Sequence, residues 1–172
     1  MNKFILVGAA GALLAACSAS QVASGESDIQ AVVTDGQEIL ATGLIPQPAA
    51  GIAALVLAGI KAVDNSVTTA TTASASAEST SITGLETAVQ QAMADTSNAG
   101  VQAGGAAARW ALGAWSATSS ASAVTQAEAA AGALLIDYLQ SKAPATARYG
   151  AKPSSIQGLI DDAHTHLTAL GH

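Results

Sequence analysis

Four helical apolar patterns in this sequence open with a serine or threonine three residues ahead of a glutamate or glutamine. The pairs are Ser27 and Gln30, Thr83 and Glu86, Thr125 and Glu128, and Ser154 and Gln157. In such a capping box the two side chains satisfy backbone N–H groups that the first turn of a helix leaves open. One box alone says little, but four of them, each ahead of a helical stripe, predict an all-α fold. After the first box Ile29, Val32, Val33, Gly36, Ile39, Leu40 and Gly43 recur at helical intervals, and after the second Leu85, Val89 and Met93 share a face. After the last, Ile156, Leu159, Ile160, Ala163, Leu167 and Leu170 make an amphipathic stripe. Ile45 to Pro48 breaks the first helix, and Pro48 suits the opening turn of the next. A further Ala-rich helix is predicted from Ala103 to Ser119.

The interior of such a bundle has to be built from small side chains. Alanine fills 43 of 172 positions, and past residue 17 the aromatics are Trp110, Trp115, Tyr138 and Tyr149 alone. Helices can then approach closely, but a methyl group buries far less area than Leu or Phe. Modest stability is expected, or support from a protein partner or a homo-oligomer. Beyond residue 16 the basic residues number 5 (the chain's 6 less Lys3) against 12 acidic ones. An acidic surface repels phosphate, which argues against nucleic acid as a partner and against a basic footprint on anionic lipid.

The first residues follow a different logic. Lys3 supplies a positive charge, and Phe4 to Ala16 is an uncharged apolar run ending in small residues, the form of a secretory signal. The run is shorter than the roughly 20 residues that a spanning helix needs. At its end Leu14-Ala15-Ala16-Cys17 resembles the lipobox of bacterial lipoproteins at all four positions. The resemblance implies a signal peptide over 1–16, a diacylglyceryl group on the Cys17 thiol, cleavage before Cys17 and acylation of the new amino group. A thiolate is the side chain best suited to forming that thioether. Several acyl chains anchor firmly, because each buried CH₂ contributes roughly 0.8 kcal/mol. Ser18 stands where an aspartate would favour inner-membrane retention in that family, so the implied address is the periplasmic face of an outer membrane. Cys17 is the one cysteine, which excludes an intramolecular disulfide.

On this reading 17–25 is an acylated cysteine with its tether, and 26–172 is a single Ala-rich bundle of about five or six helices. Within it, 68–81 is rich in Thr, Ser and Ala, and is expected to be weakly helical or a mobile linker. Ala49 to Val63 is the most hydrophobic stretch past the signal. Lys61, Pro46, Pro48 and its limited length favour a buried helix over a membrane span.

Few residues invite a chemical role. Asp162 and His166 are four apart on one helical face, where a carboxylate and an imidazole can share a transition metal. Two ligands do not close a metal site, and the helix dipole equally accounts for acids near the start of this helix and histidines near its end. Arg109, Trp110 and Trp115 suit either a patch for a partner or, for the tryptophans, the bulkiest filling of the core. No Gly-x-Ser-x-Gly elbow is present, and the glycines of "AGGAAARWALGAW" fit no phosphate loop. The sequence therefore reads as a lipid-anchored envelope protein with a structural or interaction role, without cofactor or catalysis. A small membrane-active protein of the phage-lysis or pore-forming kind is the alternative, and a metal-binding protein or enzyme comes last.

Overall fold

One stretch of the chain, Ala121–Lys142, is buried on nearly every side and lies in the middle of the fold. The computed structural model describes residues 19–68, 75–118, 121–144 and 156–171. These form six helices and no strand: α1 (Ala19–Ala41), α2 (Ala49–Thr68), α3 (Ala75–Asp95), α4 (Ala99–Thr118), α5 (Ala121–Lys142) and α6 (Ile156–Ala169). The all-α, Ala-rich bundle expected from the sequence is what the chain forms. Helix α5 touches all five others, which surround it in the order α6, α1, α2, α3, α4. Its Ala127, Ala131, Leu134, Leu135, Ile136, Tyr138 and Leu139 are entirely buried.

The small side chains do what their size permits. A Cβ added at Gly104 of α4 would lie 3.0 Å from the backbone nitrogen of Leu134 and 3.1 Å from its Cα. Here α4 and α5 touch backbone to backbone, and only a residue without a side chain fits between them. Around that contact α4 buries Val101, Ala108, Leu112 and Trp115.

Several helix starts depart from the sequence reading, while α2 begins at Ala49, next to Pro48, as read. Ser27, Thr83 and Thr125 stand inside helices that begin upstream, at Ala19, Ala75 and Ala121. Alanine and serine ahead of each box extend the helix past it. Thr83 shows how such a residue is accommodated: its hydroxyl donates to the carbonyl of Ser79, 2.9 Å away, one turn back. Thr34 and Thr87 do the same to Gln30 and Thr83. Ser154 lies outside the described residues. The capped start is that of α4, where Asn98 Oδ1 accepts from the backbone N–H groups of Gly100 (2.9 Å) and Val101 (3.2 Å). Helix α4 accordingly starts at Ala99 instead of Ala103. Gly43, read above as the last position of an apolar stripe, instead ends α1 with a φ of 68°.

The expected tether is helical from Ala19 onward, and 75–81 forms the first turns of α3. Residues 69–74 lie outside the described residues. Helix α2 buries Ala49, Ala53, Val56, Ile60 and Val63, while Leu55 on its other face is 50% exposed.

Candidate functional site

Ionisable groups gather where α1, α5 and α6 meet. His164 and His166 are two residues apart on α6, so their side chains leave the helix about 200° apart. Because α6 packs against both α1 and α5, each histidine reaches a different neighbour. His166 Nδ1 lies 2.8 Å from Asp28 Oδ1 of α1, and His164 Nε2 lies 3.6 Å from Asp137 Oδ1 of α5. Two imidazole–carboxylate pairs thus clip the last helix to the bundle.

Asp162 and His166, the pair singled out in the sequence, both face Asp35, a buried carboxyl of α1 whose Oδ2 has no hydrogen-bond partner. Burial, then the charge of Asp162, pushes Asp35 up to about 6, with Glu38 adding to the rise and His166 opposing it. Among the described residues, no three His, Cys, Asp or Glu side chains are placed to hold a metal ion.

A second buried acid lies where α1, α2 and α5 meet. Glu128 is 3% exposed, and its Oε1 has no partner. Burial, then the negative charges of Asp64 on α2 and Glu26 on α1, pushes its carboxyl up to about 8. The sequence reading assigned Glu128 to a helix cap and passed over Asp35. The available signal was context: each is an acid set into a largely apolar run, "AEAAAGALLI" and "VVTDGQEIL".

A third polar group closes the turn between α3 and α4. Tyr138 donates its hydroxyl proton to Asp95 Oδ2 at 2.7 Å, and the Lys142 ammonium sits 2.7 Å from the same oxygen. Lys142 also donates to the Asp95 carbonyl at 3.1 Å, and Gln102 Nε2 donates to the carbonyls of Met93 and Thr96. The hydrogen bonds from Lys142 and Tyr138 hold the Asp95 carboxyl below its ordinary value. Burial, then the bond to Asp95, drives the Tyr138 phenol far above its own, which makes it a hydrogen-bond donor and no base. The group binds open carbonyls at the end of α3, a structural task. Tyr138→Phe keeps the buried ring and removes a hydrogen bond to a charged partner, so urea denaturation should show a loss of about 2 kcal/mol.

The remaining candidates separate. Trp115 is 3% exposed and fills the core, while Trp110 is 51% exposed on the outside of α4 beside exposed Arg109. Five residues on a helix turn the chain about 140° from the starting face, so the two rings cannot share a surface. Cys17 lies outside the described residues. A groove of about 710 Å³ runs along the outside of α2 and α3, lined by Leu55, Ala58, Ala62, Thr80, Gly84 and Thr87, with no ionisable side chain in its wall. No protein-family model, curated protein or solved structure matches the chain.

Proposed function

We propose that this chain is a lipid-anchored protein of the cell envelope with a non-catalytic structural or interaction role. The observation that carries the reading is Leu14-Ala15-Ala16-Cys17, which closes an apolar run behind Lys3. Acyl chains on Cys17 tether the bundle to the periplasmic face of an outer membrane. The bundle works there through its protein surface, toward a partner or a second copy, without a cofactor. Several of its ionisable groups serve packing: His164 and His166 clip α6, and Asp95, Tyr138 and Lys142 close the α3–α4 turn. Cys17→Ser should abolish incorporation of a labelled fatty acid. Mass spectrometry of the wild-type chain should find an acylated Cys17 at its amino terminus; an unmodified terminus, or an intact Met1, refutes the anchor.

One observation favours a second reading, a membrane-active protein. Over Ala49–Ser66, α2 has a mean hydropathy of 1.3 and enough length to cross a bilayer, and 44% of that window is buried in the bundle. The core helix of a water-soluble protein has the same properties, and Lys61 and Asp64 lie within the window. Protein beginning at Ser18 should therefore stay in the supernatant without detergent. Dependence on detergent, with protease protection of Ala49–Ser66 in vesicles, would put the second reading first.

A further inference from the structure

We propose that Glu128 is a proton-operated latch on the end of the bundle where α1, α2 and α5 meet, closed while its carboxyl is protonated and released when it ionises. The inference is independent of the envelope reading and rests on how this carboxyl is enclosed. Glu128 is 97% removed from solvent (3% exposed), and Oε1 has no donor facing it. It borders a cavity walled by Ile29, Val32, Ile60, Gly132, Leu167 and Leu170, contributed by α1, α2, α5 and α6. That cavity is apolar and too narrow to admit a water molecule, so Oε1 of an ionised Glu128 cannot be hydrated from that side.

The surrounding charges make ionisation worse. Helix α2 brings Asp64 and α1 brings Glu26, both acting to keep the proton on Glu128. Lys61 of α2 is exposed, on the rim of a groove it shares with Asp64 and Gln30. Helix α6 presents Leu167 and Leu170 to the cavity; its Asp161 and Asp162 are exposed, and its histidines are engaged by Asp28 and Asp137. Arg109, the ionisable group of α4, is exposed, and α3, which carries Glu86 and Asp95, touches α5 least of the five.

A neutral acid is tolerated in this position, whereas an anion has one way to regain its hydration. The ends of α1 and α2 must draw away from α5, which admits water and separates three like charges at once. The carboxyl is held up to about 8, so opening becomes easier as pH rises toward that value and changes little beyond it. Among the described residues Asp35 is the other buried acid with an unpartnered oxygen, but it faces α6 and changes charge at about 6. The two events are therefore separable along the pH axis.

Amide hydrogen exchange of the full chain, corrected for the intrinsic pH dependence of exchange, tests the latch. Peptides covering 25–33 and 123–132 should lose protection by up to about tenfold per pH unit as pH rises from the ordinary carboxylate range toward about 8, and level off beyond it, with the α3–α4 turn as internal control. Glu128→Gln, which is neutral and isosteric, should hold that protection across the range. Glu26→Gln removes one opposing charge and should move the wild-type midpoint to lower pH. Carbon-13 NMR of the Glu128 carboxyl gives a direct reading on wild-type protein, should the glutamine variant not fold. A midpoint at about 8 supports the latch. A midpoint below about pH 7, or equal loss of protection in wild type and Glu128→Gln, overturns it.

Discussion

Gly104→Leu is expected to abolish the cooperative unfolding transition, leaving at most a helical but loosely packed chain. A first carbon at this position already meets Leu134 backbone at 3.0 and 3.1 Å. Backbone in the central helix cannot turn aside as a side-chain tip could, and α5 is held from its other sides by α1, α2, α3 and α6. The leucine must therefore push α4 outward, and Val101, Leu112 and Trp115 lose their packing together. Overpacking in cores costs about 1–3 kcal/mol where side chains can adjust, and more where they cannot. Against a total of about 5–15 kcal/mol, in a core poor in large side chains, that is decisive. Near-ultraviolet circular dichroism reports the loss directly, since Trp115 and Tyr138 are both buried. Ala106→Leu, at an exposed position of the same helix, is the control and should leave the transition where it was. An unchanged urea midpoint for Gly104→Leu would show that the two helices do not meet as closely as described.

The second large effect is on pH dependence, and its direction is unusual. An unfolded chain releases the Glu128 proton near 4.5, whereas the folded chain keeps it up to about 8. Between those values the folded state binds more protons, so raising the pH favours unfolding. The loss amounts to about 4 kcal/mol between about pH 5 and about pH 9. Asp35, raised from 3.8 to about 6, adds a change of the same sign, about 2 kcal/mol between about pH 4 and about pH 7. Asp95 works in the other direction: its carboxyl is held low, so its contribution is lost as pH falls below the ordinary range. Stability should thus peak in mild acid, at about pH 4–5, where most proteins have begun to weaken. Chemical denaturation across this range measures it, and Glu128→Gln should remove the alkaline arm while leaving the part due to Asp35. A wild-type stability that is flat or rising from pH 5 to about pH 9 would contradict the burial of Glu128 as an acid.

Helical character was legible in the sequence because it is local. Stripes such as Ile29, Val32, Val33 and Ile39 repeat at the period of the helix, and the buried faces follow them. The starts read from Ser27, Thr83 and Thr125 were not legible, because a Ser/Thr–Glu/Gln spacing works equally well inside a helix, where Thr83 bonds back to Ser79. Nor was the central position of α5. By hydrophobicity alone Ala49 to Val63 stands out, yet the middle went to the Ala-rich α5, which packs against all five other helices, and α2 kept an outer face with Leu55. The role of Trp115 was open in the sequence and is decided by which side of α4 meets α5. Pairings such as His166 with Asp28, or Tyr138 with Asp95, join residues far apart in the chain, and nothing in either neighbourhood announces the other. The lipobox resemblance involves residues outside those the structure describes.

The place of α5 in the chain gives this molecule an order of events. The helix that all others pack against is the fifth to leave the ribosome or a translocation channel, since both deliver a chain from its amino terminus. Helices α1 to α4 emerge with apolar faces and no common partner, and local pairs such as α2 with α3 are the most they can form. The closest pairing in the fold, α4 with α5, is between neighbours in sequence, which favours rapid closure once both are free. The remaining helices then collapse onto that hairpin, and α6 seals the seam last through its two histidines. Until α5 is available, the apolar faces of the helices before it lack their common partner and are exposed to aggregation.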